Sequence, residues 1–502
     1  MATASQTRKL TILAQDPSIR VNGTCAFAQV DNPAEVLSSG PTGYCVKVVD
    51  FDASANVLYA PRHYLPDPAS QDDDPYVPKE GQPLAARKRW EAKVLADPAV
   101  HAQHCYAIIM RTLAHFEFAL GRRVSWGFSG HRMHVAPHAF QDGNAFYLEH
   151  DRALVFGYFP SARTSETVFT CLSYEIVAHE TTHAVLDGIR NGFTYPSMPD
   201  QAAFHQGFAD VVVRLSVFSF KEIVAAPLQG TSPLPPPRKN VPLISKARVT
   251  RKVIESSIPL GLGEQFGAHL AGARANALRR SISLKPDRTL LAQDRFQEEH
   301  DRGEVLVAAV LHSFLTMWTS RIEGLGTFKG DMYNLDRVIE EGSKAADHLL
   351  TMSIRALDYC PPVDLSFGDF LAALLTADSE TVPDDSQHHY REIIRKSFRA
   401  YGIDSSGGVI DRKTGNWAEF QPEAEISYGR THVESMLHDK EEVFRSIWEN
   451  RHALKLNELR LDEKSYMRVG PSDRACAKAR TDFSFARPSA SMSRRCASLA
   501  PR

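Results

Sequence analysis

A chain of 502 residues can bury a large core and is expected to fold as two or three structural units. With 43% apolar and 24% charged residues the composition is that of an ordinary folded protein, which excludes a disordered or collagen-like chain. A net charge near −2 removes any compositional reason to expect nucleic acid or an anionic membrane as the main partner.

Cys25, Cys45, Cys105, Cys171, Cys360, Cys476 and Cys496 are scattered, odd in number and contain no CxxC pair, which favours a reducing compartment. The N-terminal stretch lacks the apolar core of a secretory signal. The longest apolar run, Val305–Leu311, is too short to span a bilayer. The expected location is therefore cytoplasmic, with no membrane partner.

Along the chain, Val46–Phe51 and Val57–Tyr59 read as strands, and 61–81, rich in Pro and Asp, as a loop. Helical spacing of Ile108, Met110, Leu113 and Phe116 predicts a helix over 88–120, with a break near Pro98. Strands follow at 132–136, 144–148 and 153–159. The character then changes. A helix is predicted over 171–191, with Leu172, Ile176, Val185 and Ile189 as its apolar stripe and Gly192 at its stop. A second helix is predicted to start at Asp200 as N-cap and run to about Phe220, because Phe204, Phe208, Val211, Leu215 and Phe218 share one face. Residues 227–242 read as a proline-rich loop, and further helices are expected at about 260–281, 303–320, 334–358, 366–376 and 387–400. Beyond 468, Arg and Lys outnumber the lone Asp473 and Asp482, so a disordered basic tail is expected.

The chemistry concentrates in His179-Glu180-Thr181-Thr182-His183. Two histidines at i and i+4 project from one side of a helix and can offer imidazole nitrogens to one Zn²⁺. Glu180, about 100° further round the helix, stands beside such an ion rather than on it. There it can act as a general base on a metal-bound water and then as the acid for the leaving amine. Asp187, four residues after His183, reads as a helix-end polar contact.

The stretch EIVAHETTHAVLDGIRNGF, followed by AFHQGFADVVVRL, resembles the thermolysin-like zinc peptidases, the gluzincins, and most closely an intracellular offshoot of that family. The resemblance covers roughly 8–403, through the Cys360-Pro361-Pro362-Val363-Asp364 segment. It implies an α+β, thermolysin-like fold: a mixed N-terminal lobe (1–165), a helical lobe carrying the metal-site helix (166–405) and a C-terminal extension (406–502). It implies Zn²⁺ as cofactor, a peptide or protein as substrate, and Asp210 as the carboxylate that orients a ligand histidine. Where the family has its third ligand, a glutamate on the next helix, this chain has Gln206. An amide oxygen is a neutral and weaker donor, so two expectations stand: Gln206 as third ligand, or a vacant third corner. His205 lies about 100° away on the same helix and would reach the ion only if that helix shifted. Asn144 and Ala145 match the edge strand that holds substrate backbone by strand addition. His300, just ahead of a helix, and Tyr195 match the groups that stabilise the oxyanion. The function implied is metallopeptidase hydrolysis with Glu180 as base. The alternative is a catalytically impaired pseudopeptidase that binds peptides or partner proteins.

Overall fold

Alternation builds the first sheet contact. In β1 (Thr7–Leu13) Leu10 and Ile12 point inward, and in the antiparallel β2 (Phe27–Pro33) Ala28 and Val30 do the same, with Leu10 opposite Val30. The computed structural model describes residues 7–454 except 18–19, 22, 66–73, 162–165, 195, 230–240, 258–280, 282–283, 329, 406–409, 419–423, 431 and 437–438, together with 460–461 and 467–468. The helix expected at 260–281, Tyr195 and all but the start of the basic tail thus lie outside the described residues. Two compact units are present, Met1–Glu419 and Phe420–Arg502. The first contains both the sheets and the main helices, an α+β arrangement.

The helix expected over 88–120 is two helices, α1 (Leu84–Leu95) and α2 (Pro98–Leu120). Asp97 caps α2 by accepting from the Ala99 amide, and Pro98 takes the first helical position, where its missing N–H leaves nothing unpaired. Against α2 lies a five-stranded sheet of β3 (Val46–Val48), β4 (Met133–Phe140), β5 (Ala145–Leu148), β6 (Ala153–Pro160) and β7 (Thr167–Phe169). β3 runs parallel to β4, and β4 parallel to β6. The other side of β6 is shared: Ala153–Phe156 pair with β5, and Tyr158–Pro160 with β7. Among the described residues no strand pairs with the outer edge of β5.

α3 (Tyr174–Ile189) carries the histidine pair; the Ser173 hydroxyl caps it by accepting from the Ile176 amide. α4 (Pro199–Phe218) begins two residues earlier than expected. Its N-cap is Met198, not Asp200, because Pro199 fits the first helical position. Asp200, drawn into the first turn, instead pairs with Arg302 at 2.5 Å and accepts from the Phe367 amide at 3.0 Å. α5 (Lys221–Gln229) runs on across Pro227, where a loop was expected. After α6 (Arg251–Ser257) come α7 (Glu299–Glu323), α8 (Leu335–Arg355), α9 (Phe367–Thr381) and α10 (Tyr390–Ala400). α4 is the hub, packed on α3, α7 and α8.

α4 and α7 run parallel, since Arg302 meets Asp200, Gly303 meets Ala203 and Gly207, and Phe314 meets Phe218. A Cβ on Gly303 would stand 3.0 Å from the Ala203 carbonyl oxygen, so glycine here sets how closely the two helices approach beside Gln206. By length and composition α7 is long and apolar enough to cross a membrane, yet 72% of that stretch is buried against its neighbours, as in a core helix. In the second unit, Asp439 caps the helix Lys440–Glu449, where Phe444 and Trp448 stack.

The end of α3 is held by contact rather than by a cap. A Cβ on Gly188 would sit 1.9 Å from the Ser125 carbonyl oxygen. Gly188→Ala is therefore expected to cost about 1–3 kcal/mol through forced backbone movement. A denaturant melt checks this, and an unchanged midpoint contradicts it.

Burial also leaves a pH signature. It pushes His115 in α2 down to about 3, with the Arg111 charge adding to the effect, and His312 in α7 down to about 4, with Arg251 adding. The folded chain keeps both rings neutral, while the unfolded chain protonates them near the ordinary 6.5. Their contribution is fully present above about 6.5 and is lost as pH falls toward about 3–4. The urea midpoint is expected to fall over that window, and less steeply in His115→Leu. An identical acid limb in the variant contradicts the assignment.

Candidate metal centre

α3 brings His179 and His183 onto one face, with their Nε2 atoms 2.9 Å apart. The outer nitrogen of each ring is engaged. His179 Nδ1 lies 3.0 Å from Asp210 Oδ1, and His183 Nδ1 lies 3.2 Å from His205 Nε2. A carboxylate only accepts, so the His179 proton is assigned to Nδ1 and its Nε2 presents a lone pair. Burial, with His179 close by, holds His205 down to about 4, so it is neutral near pH 7 and its Nε2 can accept. The His183–His205 contact can run either way. With His183 Nδ1 as donor, both Nε2 lone pairs face the gap and a cation can stand between them; with His205 Nε2 as donor, His183 Nε2–H donates to His179 Nε2 across the same 2.9 Å. Nitrogens about 2.0–2.1 Å from one tetrahedral ion would be roughly 3.3 Å apart. Opening the pair by a few tenths of an ångström suffices, so these donors fit a zinc ion.

No acid, thiol or further imidazole among the described residues joins the α3 pair as a third donor within 4.8 Å. Among the described residues, three-donor groups within 4.8 Å are His101–His138–Cys171 and Glu298–Glu299–His300, and neither includes the α3 pair. His205 stacks on His183, with ring centroids 4.2 Å apart, and meets its outer nitrogen rather than the inner one. His205 thus supports the His183 ring from behind, a contact the sequence reading did not assign. Gln206 is half-buried on α4, one turn before Asp210 and so on the same face. Its amide makes no hydrogen bond among the described residues, which leaves it able to serve the third corner.

Glu180 is 3% exposed, and its Oε2 accepts from the Tyr147 amide at 3.1 Å. The Tyr147 hydroxyl donates to Asp187 Oδ2 at 2.7 Å, so Tyr147 fastens β5 to α3 twice. Asp187 is thus a polar contact on the last turns of α3. The Asn144 carbonyl accepts from the Gly157 amide on the β6 side, so by antiparallel alternation Ala145 and Tyr147 turn their backbone groups to the other edge. That edge faces α3. Asn144 is half-buried, and its Oδ1 accepts from the Ala145 amide at 3.0 Å.

His300 lies within the first turn of α7 rather than ahead of it, because Glu298 is the N-cap. Its Nδ1 is 2.6 Å from Glu298 Oε1, its side chain is 40% exposed, and no described contact joins it to the α3 histidines. Tyr195 lies outside the described residues. No family model matches the chain, and no curated protein matches it.

Proposed function

We propose that this chain is a zinc-dependent peptidase of thermolysin-like architecture acting on peptide or protein substrates. The observation that carries the proposal is the pair of Nε2 atoms 2.9 Å apart on one face of α3, with Asp210 and His205 behind the two rings and the buried Glu180 beside them. His179, His183 and Gln206 would hold the ion, which when bound polarises the scissile carbonyl and acidifies water. Glu180 accepts the proton of the attacking water and returns it to the leaving nitrogen. The outer edge of β5 at Ala145, whose amide now bonds to Asn144 Oδ1, pairs with an extended peptide once the Asn144 side chain swings to the substrate, laying the peptide across α3. His300, after leaving Glu298, and Tyr195 serve the oxyanion. A cytoplasmic setting, suggested by the scattered cysteines, belongs to the same proposal.

Gln206 favours a second reading, a pseudopeptidase that binds peptides through the β5 edge without hydrolysing them. One experiment separates the two. Hydrolysis of an unstructured protein substrate by the full chain is expected to vanish on chelation, to return with added zinc, and to rise in Gln206→Glu as a charged donor tightens the site. Peptide binding without hydrolysis in both the native chain and Gln206→Glu would establish the second reading.

A further inference from the structure

We propose that His101, His138 and Cys171 form a second metal site, one that takes a thiophilic first-row cation such as Zn²⁺ and fastens the start of α3 to α2 and the sheet. This inference is independent of the α3 reading. His101 lies in the first turn of α2, His138 in β4, and Cys171 in the short 3₁₀ turn Thr170–Leu172 directly before α3. One donor atom from each lies within 4.8 Å of the others, and all three side chains are buried.

The hydrogen bonds around the two rings carry the argument. His101 Nε2 lies 2.8 Å from the Leu95 carbonyl oxygen, which can only accept, so that nitrogen holds the proton and Nδ1 presents a lone pair. His138 Nδ1 lies 2.9 Å from both Asp50 oxygens, so it too is protonated, and Nε2 presents the lone pair of the neutral ring. His101 Nδ1 and His138 Nε2 are 2.7 Å apart. As on α3, two inner nitrogens converge while the outer nitrogens are held by a carbonyl and a carboxylate, the partners that fix ligand histidines around an ion. The thiol is the third corner. Two imidazoles and one sulfur suit zinc or copper and disfavour the oxygen-seeking Mg²⁺ and Ca²⁺.

The surroundings are consistent with a structural ion. Phe169 lies 4.7 Å from the His101 ring and 5.1 Å from the His138 ring between centroids, and Tyr59 lies 5.0 Å from His138. Burial holds the proton on the Cys171 thiol in the metal-free chain. Binding therefore forms the metal–sulfur bond and releases that proton to solvent. The rival occupant of the gap is a proton, with His138 as an imidazolium against Asp50 donating to His101.

Cobalt titration decides between them. A full-length chain carrying His179→Ala and His183→Ala, which removes the α3 pair, is expected to bind one equivalent of Co²⁺ with a near-ultraviolet sulfur-to-cobalt charge-transfer band. The band should disappear when zinc is added and be lost when Cys171→Ala is introduced. A titration with no such band, or a band that survives Cys171→Ala, overturns the proposal in favour of the shared proton. Should Cys171→Ala not fold, zinc-edge X-ray absorption of the zinc-loaded His179→Ala, His183→Ala chain decides. A sulfur neighbour at about 2.3 Å supports the site, and a shell of nitrogen and oxygen alone overturns it.

Discussion

Glu180→Gln is expected to lower peptide hydrolysis by about 10²–10⁴-fold while zinc binding and the fold persist. The carboxylate is buried and clasped by the Tyr147 amide, between the β5 edge and the α3 histidine pair to which the proposal assigns substrate and ion. A glutamine amide keeps the size and can still accept that N–H bond, so the local structure has no reason to move. It cannot take up a proton from water. The two imidazoles are untouched, so zinc content should match the native chain. Rates on an unstructured substrate, measured with zinc stoichiometry on the same samples, check both halves. Undiminished hydrolysis in the variant removes Glu180 from the reaction.

His183→Ala is expected to weaken zinc binding at α3 by more than about 100-fold, beyond what loss of a supporting residue costs. The variant removes one of only two imidazoles that converge there, and the uncharged Gln206 cannot compensate. It also leaves the Nε2 of the desolvated His205 without the partner it now has at 3.2 Å. His205→Ala is the informative contrast. It keeps both ligands and removes only the group that orients one of them, so a loss of about 10–100-fold is expected. Calorimetric zinc titration in a Cys171→Ala background isolates the α3 site. Equal affinities in His183→Ala and the parent contradict the ligand assignment.

How much of this could be read beforehand differs by element, for physical reasons. The helix that carries the histidine pair was legible because its signals are local: the apolar stripe on Ile176 and Val185, and two histidines that helical spacing places on one face. The strand at Ala145–Leu148 was legible from its apolar run, but Tyr147 was not singled out. Its importance arises from two bonds to α3, across |i−j| separations of 33 and 40. His205 was weighed only as a ligand, since its part as the support of His183 depends on how α4 lies against α3. The start of α4 lies two residues before the position Asp200 suggests, because Asp200 has the chemistry of a cap, while Pro199 and the Arg302 partner that override it act through geometry. α5 across Pro227 escaped notice because proline near a helix end resembles proline in a loop. The His101–His138–Cys171 cluster left no motif at all. Its members come from α2, β4 and the turn before α3, and only the packing of these three elements brings them together.

The central claim is that the inner nitrogens of His179 and His183 hold a divalent cation. Crystals of the full chain grown with excess zinc, with diffraction recorded on both sides of the zinc absorption edge, test it most directly. The account predicts an anomalous peak between the two Nε2 atoms, within bonding distance of both and of the Gln206 side chain or a water. Rings that turn apart, or a map with no peak there while zinc is in excess, would contradict it.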